Sequence, residues 1–289
     1  MVSVCMITYG HEKFIKQAIE GVLMQQCDFE VELIIANDCS PDNTDNVVKE
    51  ILQTDKRALW INYTRQEKNL GVTANLLFAL QKCKGNYIAF CEGDDYWTDS
   101  LKLQKQRDYF LSNPGIGLVY TDYNIFMQNT RQLTASSGRG RVAGVNAVYN
   151  DLIKNNFIAM LTVMADSKIL LEASQQLRLA EHNWAMADYP LWLYIAAFNK
   201  IAYLPECTAT YRYLPVSASH TGSLKKNLSF LKSVFLIRLY FHKHIKKVSI
   251  KNLLTIYRIF YHESYLYIYR KFKEKIYDRK IDRKTDRKN

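Results

Sequence analysis

Glu92, Asp94 and Asp95 put three carboxylates within four positions, directly after the apolar run Tyr87-Ile88-Ala89-Phe90-Cys91. Crowded into one turn, such groups repel one another unless a divalent cation, or its phosphate-bound form, sits among them. The apolar run is rich in aromatic and β-branched residues and predicts a buried strand, so the acids fall at its C-terminal end, where open α/β sheets bind ligands. The competing reading is an acidic, solvated turn. Polar residues also close the preceding predicted strands: Thr8 and Tyr9, then Asn37 and Asp38, then Lys68 and Asn69. A carboxylate such as Asp38 can accept the N–H of a pyrimidine ring, while Thr8 and Tyr9 offer contacts to base and ribose. Asp38 can equally be a turn or cap residue ahead of Ser40-Pro41, and Lys68 can meet phosphates or stay a solvated loop lysine.

The elements that would position these residues follow from hydrophobic periodicity. Strands are predicted at Val2–Thr8, Val31–Ala36, Leu59–Tyr63, Tyr87–Cys91 and Ile116–Tyr120, and helices at Glu12–Met24, Thr44–Leu52, Thr73–Gln81 and Ser100–Leu111. Asp42 or Asn43 is placed to cap the second helix. This alternation predicts an α/β domain whose mostly parallel sheet is covered by helices, a nucleotide-binding type of architecture. The polar, Gly-rich stretch Met127–Val145 reads as a long surface loop, and helical and strand-like patterns resume from Ala147 to Tyr213. Beyond Ser223 the pattern becomes long helices, ending in Asp-Arg-Lys repeats from Asp278 that predict a frayed terminus.

The composition narrows the classes. With 48% hydrophobic and 13% aromatic residues in 289, the chain is not a disordered protein. Its net charge of +11 is unevenly placed: from Lys225 onward there are 19 Lys/Arg against 5 Asp/Glu, a surplus of 14 that leaves the first 224 residues at −3. The six cysteines form no C-x-x-C pair, and Cys5 and Cys91 fall in predicted buried strands, so reduced core thiols are expected. The opening Met1-Val2-Ser3-Val4-Cys5-Met6-Ile7 reads as a strand without a basic leader, and no run reaches the roughly 18 apolar residues of a spanning helix. A cytoplasmic location, peripheral on the cytosolic face of a membrane, is the expectation.

In their order, Val4–Tyr9, Ile34-Ile35-Ala36-Asn37-Asp38-Cys39-Ser40-Pro41-Asp42-Asn43-Thr44, Asn69-Leu70-Gly71 and Glu92-Gly93-Asp94-Asp95-Tyr96-Trp97 resemble glycosyltransferase family 2. The resemblance implies a GT-A fold and inverting transfer of a sugar from a nucleotide diphosphate, usually UDP, to an acceptor hydroxyl. Glu92-Gly93-Asp94 looks like the family's D-x-D motif with Glu in first place, implying Mn2+ or Mg2+ on the donor pyrophosphate, Asp94 as its ligand and Glu92 near ribose or metal-bound water. Thr8, Tyr9, Asp38, Lys68, Asn69, Glu92, Gly93 and Asp94 would form the nucleotide site, with Asp95 near the donor sugar. The likeness continues through Asn155-Asn156-Phe157-Ile158, Asp188-Tyr189-Pro190-Leu191-Trp192-Leu193 and Tyr211-Arg212-Tyr213 with Ser217-Ala218-Ser219-His220. It implies Asp188 as the catalytic base and Arg212 and His220 as diphosphate contacts. A carboxylate at a helix start is stabilised as an anion by the backbone dipole and can take a proton from an attacking hydroxyl. Asp166 departs from the pattern, since relatives often carry a basic residue there. The glycosyltransferase domain is expected over 1–222, with donor half about 1–122 and acceptor half about 123–222, followed by a basic helical extension, 223–289.

Two enzymatic alternatives fit less well. A dinucleotide-dependent oxidoreductase needs G-x-G-x-x-G after its first strand, where this chain has Thr8-Tyr9-Gly10-His11. A sugar-1-phosphate nucleotidyltransferase would open with a Gly-rich phosphate loop followed by Arg. The non-enzymatic alternative is a basic binding protein whose tail, with Tyr240, Phe241, Tyr257, Phe260, Tyr261, Tyr265, Tyr267 and Tyr269 among its cations, grips nucleic acid. The same composition suits helices on an anionic membrane, or a helical appendage with a solvated basic side, and both are preferred to nucleic acid. The expected partners are a UDP-sugar donor, a glycan or lipid-linked glycan acceptor, and an anionic membrane surface.

Overall fold

The computed structural model describes residues 1–135, 148–214 and 223–285, without the side chains of Lys271 and of residues 274–285. Two compact units divide the chain, Met1–Tyr213 and Leu214–Asn289. In the first, β1 (Val2–Thr8) and β2 (Val31–Asn37) are almost wholly buried. Near-continuous apolar strands of this kind need cover on both faces, which α1 (Ile15–Leu23), α2 (Thr44–Thr54), α3 (Val72–Lys82) and α4 (Lys102–Ser112) provide. The inward residues Ile15, Ile19 and Val22 of α1, Val48 of α2, Leu76 of α3 and Leu103 of α4 are each at most 1% exposed.

β3 (Ile61–Arg65) and β4 (Tyr87–Phe90) complete a parallel group in the order β3-β2-β1-β4. Beyond β4 the sheet continues through β8 (Met164–Asp166), β6 (Ile116–Met127), β9 (Lys200–Tyr213) and β5 (Tyr96–Trp97), and β7 (Gln132–Thr134) forms a hairpin with β6. β8 runs antiparallel to both β4 and β6, while β6 and β9 are parallel. The remaining α-helices among the described residues of this unit are α5 (Val148–Leu152), α6 (Ser167–Gln176) and α7 (Asp188–Phe198).

Several elements depart from their sequence-predicted bounds. β6 runs on to Met127 because β9 pairs with it as far as Met127↔Tyr213, with register shifts around Asp122 that let the long pair bend. Part of the predicted Met127–Val145 loop is the β7 arm, and its residues 136–145 lie outside the described residues. Asp166 is the N-cap of α6, its carboxylate accepting from the amides of Lys168 and Ile169 at 2.9 and 3.1 Å. Asp42 rather than Asn43 tethers the start of α2, accepting from the amide and hydroxyl of Thr44 at 3.1 and 2.6 Å. All six cysteines are free, with Cys5 and Cys91 buried.

The second unit pairs α8 (Leu224–Tyr240) with α9 (Ile250–Thr285) across a π-helical turn at Phe241–Ile245. Phe235 of α8 stacks on Phe260 of α9 at 4.3 Å, and the Asn227 amide donates to the Tyr267 hydroxyl. α9 is helical to Thr285, and residues 286–289 lie outside the described residues. Lys and Arg, which dominate this stretch, are good helix formers. Among the described residues no helix is long and apolar enough to cross a membrane.

Candidate active site

The parallel register sets the floor of the site. Thr8 pairs with Asn37 and Asn37 with Arg65, so β1, β2 and β3 end level with one another. β4 stops sooner, yet the chain keeps alongside β1, since the amides of Cys91 and Gly93 donate to the carbonyls of Cys5 and Ile7 at 3.2 and 3.1 Å. The turn then closes with the Asp95 amide on the Glu92 carbonyl at 3.1 Å. Gly93 is required by the close approach: a Cβ there would lie 2.5 Å from Thr8 Oγ1 and 2.9 Å from His11 Nδ1. Thr8 Oγ1 in turn sits 3.1 Å from His11 Nδ1, which leaves the other ring nitrogen, Nε2, 3.8 Å from Asp94 Oδ2.

Arg212, from the end of β9, grips this turn from the far side. Its backbone amide donates to Asp95 Oδ1 at 2.7 Å and its Nε to the Asp94 carbonyl at 2.8 Å. The two terminal nitrogens donate to Gln128 and Gln17 at 2.8 and 2.6 Å, and the guanidinium lies over the rings of Phe14, Tyr96 and Phe126 at 4.7, 5.1 and 5.6 Å. Such a planar fork with aromatic faces suits Arg and not Lys. Asp95 is only 2% exposed, and its Oδ2 has no hydrogen-bond partner among the described residues. Burial, with the charges of Asp94 and Glu92 adding, pushes the Asp95 carboxyl well up, against the pull of Arg212.

Asp188 is the first residue of α7, after the cap position Ala187. Burial pushes its carboxyl above the ordinary aspartate range, more than its own amide and that of Tyr189 pull it down. The dipole argument from sequence therefore describes the smaller of two opposing effects. Glu92 keeps part of its surface in solvent, but burial of its carboxyl pushes it up to about 8, with the charges of Asp94 and Asp188 contributing. The charge of residue 188 therefore reaches residue 92, far from it in sequence.

On the β2 side, Asp38 is buried and its two carboxylate oxygens accept the amides of Leu70 and Gly71 at 2.6 and 2.9 Å. Its carbonyl accepts from the Asn69 side chain at 3.2 Å. Asp38 thus pins the loop that starts α3, whose cap position Gly71 has φ +86, a conformation that favours glycine. Each carboxylate oxygen retains a second lone pair. Tyr9 is 49% exposed, and Lys68 and Asn69 are exposed at the same rim. His220 lies outside the described residues.

Among the described residues no three His, Cys, Asp or Glu side chains converge as a metal cage. The donor set instead fits a cation that takes one or two carboxylates from protein and completes its shell with phosphate oxygens and water, as Mg2+ commonly does. His11, the last residue of the strand-end segment Thr8-Tyr9-Gly10-His11, is not marked by its sequence context and joins the site through its ring contacts to Thr8 and Asp94. Gln17 and Gln128 carried no signal, because only the folded chain brings α1, the end of β6 and the end of β9 to one guanidinium.

Comparison with known proteins points the same way. The family described as Glycosyl transferase family 2 matches residues 3–163. A UDP-Glc:alpha-D-GlcNAc-diphosphoundecaprenol beta-1,3-glucosyltransferase of Escherichia coli, WfgD, is 32% identical over 70% of this chain and 72% of its own. An uncharacterised Mycobacterium tuberculosis protein is 32% identical over 73% of this chain, but the match spans only 58% of that relative's length. Among solved structures, Staphylococcus aureus TarS 1-349 in complex with UDP-GlcNAc has a TM-score of 0.57 at 16% identity, covering 82% of this chain and 66% of its own. A Pyrobaculum calidifontis mannosyltransferase in complex with GDP-Man and Mn2+ has a TM-score of 0.56 at 16% identity, covering 92% and 69%. At these identities the two structures bear on the fold alone.

Proposed function

Because this chain belongs to glycosyltransferase family 2, we propose that it moves a hexosyl or N-acetylhexosaminyl group, with inversion, from a UDP-sugar to a hydroxyl of a surface polysaccharide or lipid-linked oligosaccharide. The observation that carries this reading is the family match over a strand order that ends in the acidic turn held against β1 by the amides of Cys91 and Gly93, and the charge of Asp188 acting on Glu92 supports Asp188 as the base. Asp188 takes the proton of the acceptor hydroxyl while the acceptor oxygen bonds to the anomeric carbon. The bond from that carbon to the diphosphate breaks and its electron pair leaves with the diphosphate. A carboxyl raised by burial is a stronger base than a free aspartate, which favours this step.

Thr8, Tyr9, Asp38, Lys68 and Asn69 would line the nucleoside end, and Glu92, Gly93 and Asp94 the ribose and diphosphate end. Asp94 would hold Mn2+ or Mg2+, which when bound neutralises the leaving diphosphate. Arg212 keeps the Asp94 backbone in place and brings positive charge to the diphosphate side. His220 is assigned to the same side. The lipid-linked acceptor named for the Escherichia coli relative supports an acceptor of that kind, and the basic extension supports work at the cytosolic face of a membrane.

Asp188→Asn should lower transfer by at least about 100-fold, the usual scale for removing a general base, with donor affinity by calorimetry unchanged within error. Full transfer by that variant would place the base elsewhere. Thermal shift against a panel of nucleotide sugars with Mn2+ identifies the donor, and Asp94→Asn should abolish the metal-dependent part of the shift.

A further inference from the structure

The aromatic residues of the second unit are not equivalent. Phe241 is fully buried, Phe260 stacks on Phe235, and Tyr267 is hydrogen-bonded to Asn227, so these three serve the unit's own packing. A different set on α9 is open to solvent: Ile250, Leu254, Tyr261, Tyr265, Ile268 and Phe272, each between 51% and 78% exposed. At about 3.6 residues per turn, their positions in the chain bring all six onto one side of the helix, a stripe roughly 33 Å long. Lys251 directly follows Ile250, Lys273 directly follows Phe272, and Arg258 stands between them, the three falling within about 60° of one another around the helix. Each of the three is exposed, and together they rim one edge of the stripe.

We propose that α9 lies flat on an anionic lipid surface, with this stripe in the acyl boundary and Lys251, Arg258 and Lys273 at the headgroups. The proposal rests on the reading of the chain as an enzyme of lipid-linked glycans and names the face that holds it to the bilayer. An apolar face this long with a cationic rim is the pattern of an interfacial helix, and no described helix is long and apolar enough to span. Charge decides against a second copy as the occupant, because each copy would bring the same basic rim and the same surplus of 14 positive charges from Lys225 onward. Nucleic acid would meet the cations but leave Ile250, Leu254 and Ile268 in water, since aliphatic side chains offer bases neither a stacking plane nor a hydrogen bond.

The test is co-sedimentation of the full chain with phosphatidylglycerol/phosphatidylethanolamine vesicles, with phosphatidylcholine vesicles and single-stranded oligonucleotide as comparisons. The wild type should pellet with anionic vesicles and much less with phosphatidylcholine. A Leu254→Ser/Tyr261→Ser/Ile268→Ser variant should bind anionic vesicles at least about 100-fold more weakly, with its circular dichroism and its turnover of soluble donor retained. A Lys251→Gln/Arg258→Gln/Lys273→Gln variant should lose on the order of 100-fold, from about fivefold per cation near the surface, and the wild type should lose comparably in high salt. Unchanged vesicle binding by the serine variant would overturn the proposal. So would a wild-type dimer that the serine variant splits, or pelleting with oligonucleotide but not with vesicles. Vesicle binding is read without turnover, so this result stands apart from the fate of the Asp188→Asn test.

Discussion

Asp188 is pulled in opposite directions by two neighbours of its carboxyl. Amides at the start of α7 favour the anion, and burial favours the acid, which here has the larger effect. A general base works only when ionised, so kcat/KM should fall as pH drops through its pKa. Because that pKa is raised, the acid limb should begin at higher pH than the roughly 3.9 of a free aspartate. A pH profile of the wild type checks this, and an acid limb confined below about pH 4 would count against Asp188 as base. The role expected for Asp38 is subtler than its sequence position implies. Both carboxylate oxygens already hold backbone amides, so any nucleobase contact uses a carboxylate pre-oriented by the loop it clasps.

At the scale of elements, α4 carries a contradiction that only packing resolves. Lys102 is wholly buried under the sheet, yet its ammonium donates to Gln106 and the Thr162 carbonyl at 2.5 and 3.1 Å and lies 5.0 Å over the Trp97 ring. Burial pushes it down to about 7. Between that value and the roughly 10.4 of an unfolded lysine, the unfolded chain binds more protons, so stability should rise with pH across this window. The rise is bounded at about 5 kcal/mol by the size of the shift. Lys102→Met, measured by urea denaturation from pH 7 to 10, should flatten that slope, and an unchanged slope would show that Lys102 is not its source. Two of the β-elements that sequence under-read, β6 beyond Thr121 and β7, share a cause. Their residues are half-buried or exposed and alternate weakly, and partners β9 and β6 give them their backbone hydrogen bonds.

For the whole molecule, the near-neutral first unit and the basic second one are distinct in composition and in packing. Calorimetry should resolve two transitions, of which only that of Met1–Tyr213 moves when UDP and Mn2+ are added. Ligand at 100 times its dissociation constant stabilises the state that binds it by about 2.7 kcal/mol. A single transition shifting as one would show that the units unfold together. The fold class and the order of the first elements were readable because both-sided burial makes parallel strands into unbroken apolar runs, and amphipathic helices separate them.

The sequence by itself determined the alternating α/β plan, the acidic turn after the fourth strand and the division of charge. These are properties of residues near one another in the chain, where periodicity and residue type act directly. Only tertiary structure decided that Arg212 is held by Gln17 and Gln128, that the charge of Asp188 reaches Glu92, and which face of α9 is left open. Those outcomes depend on which strands pair and which helix face is covered. That is settled by long-range burial and hydrogen bonding, and leaves no periodic mark on the segments involved.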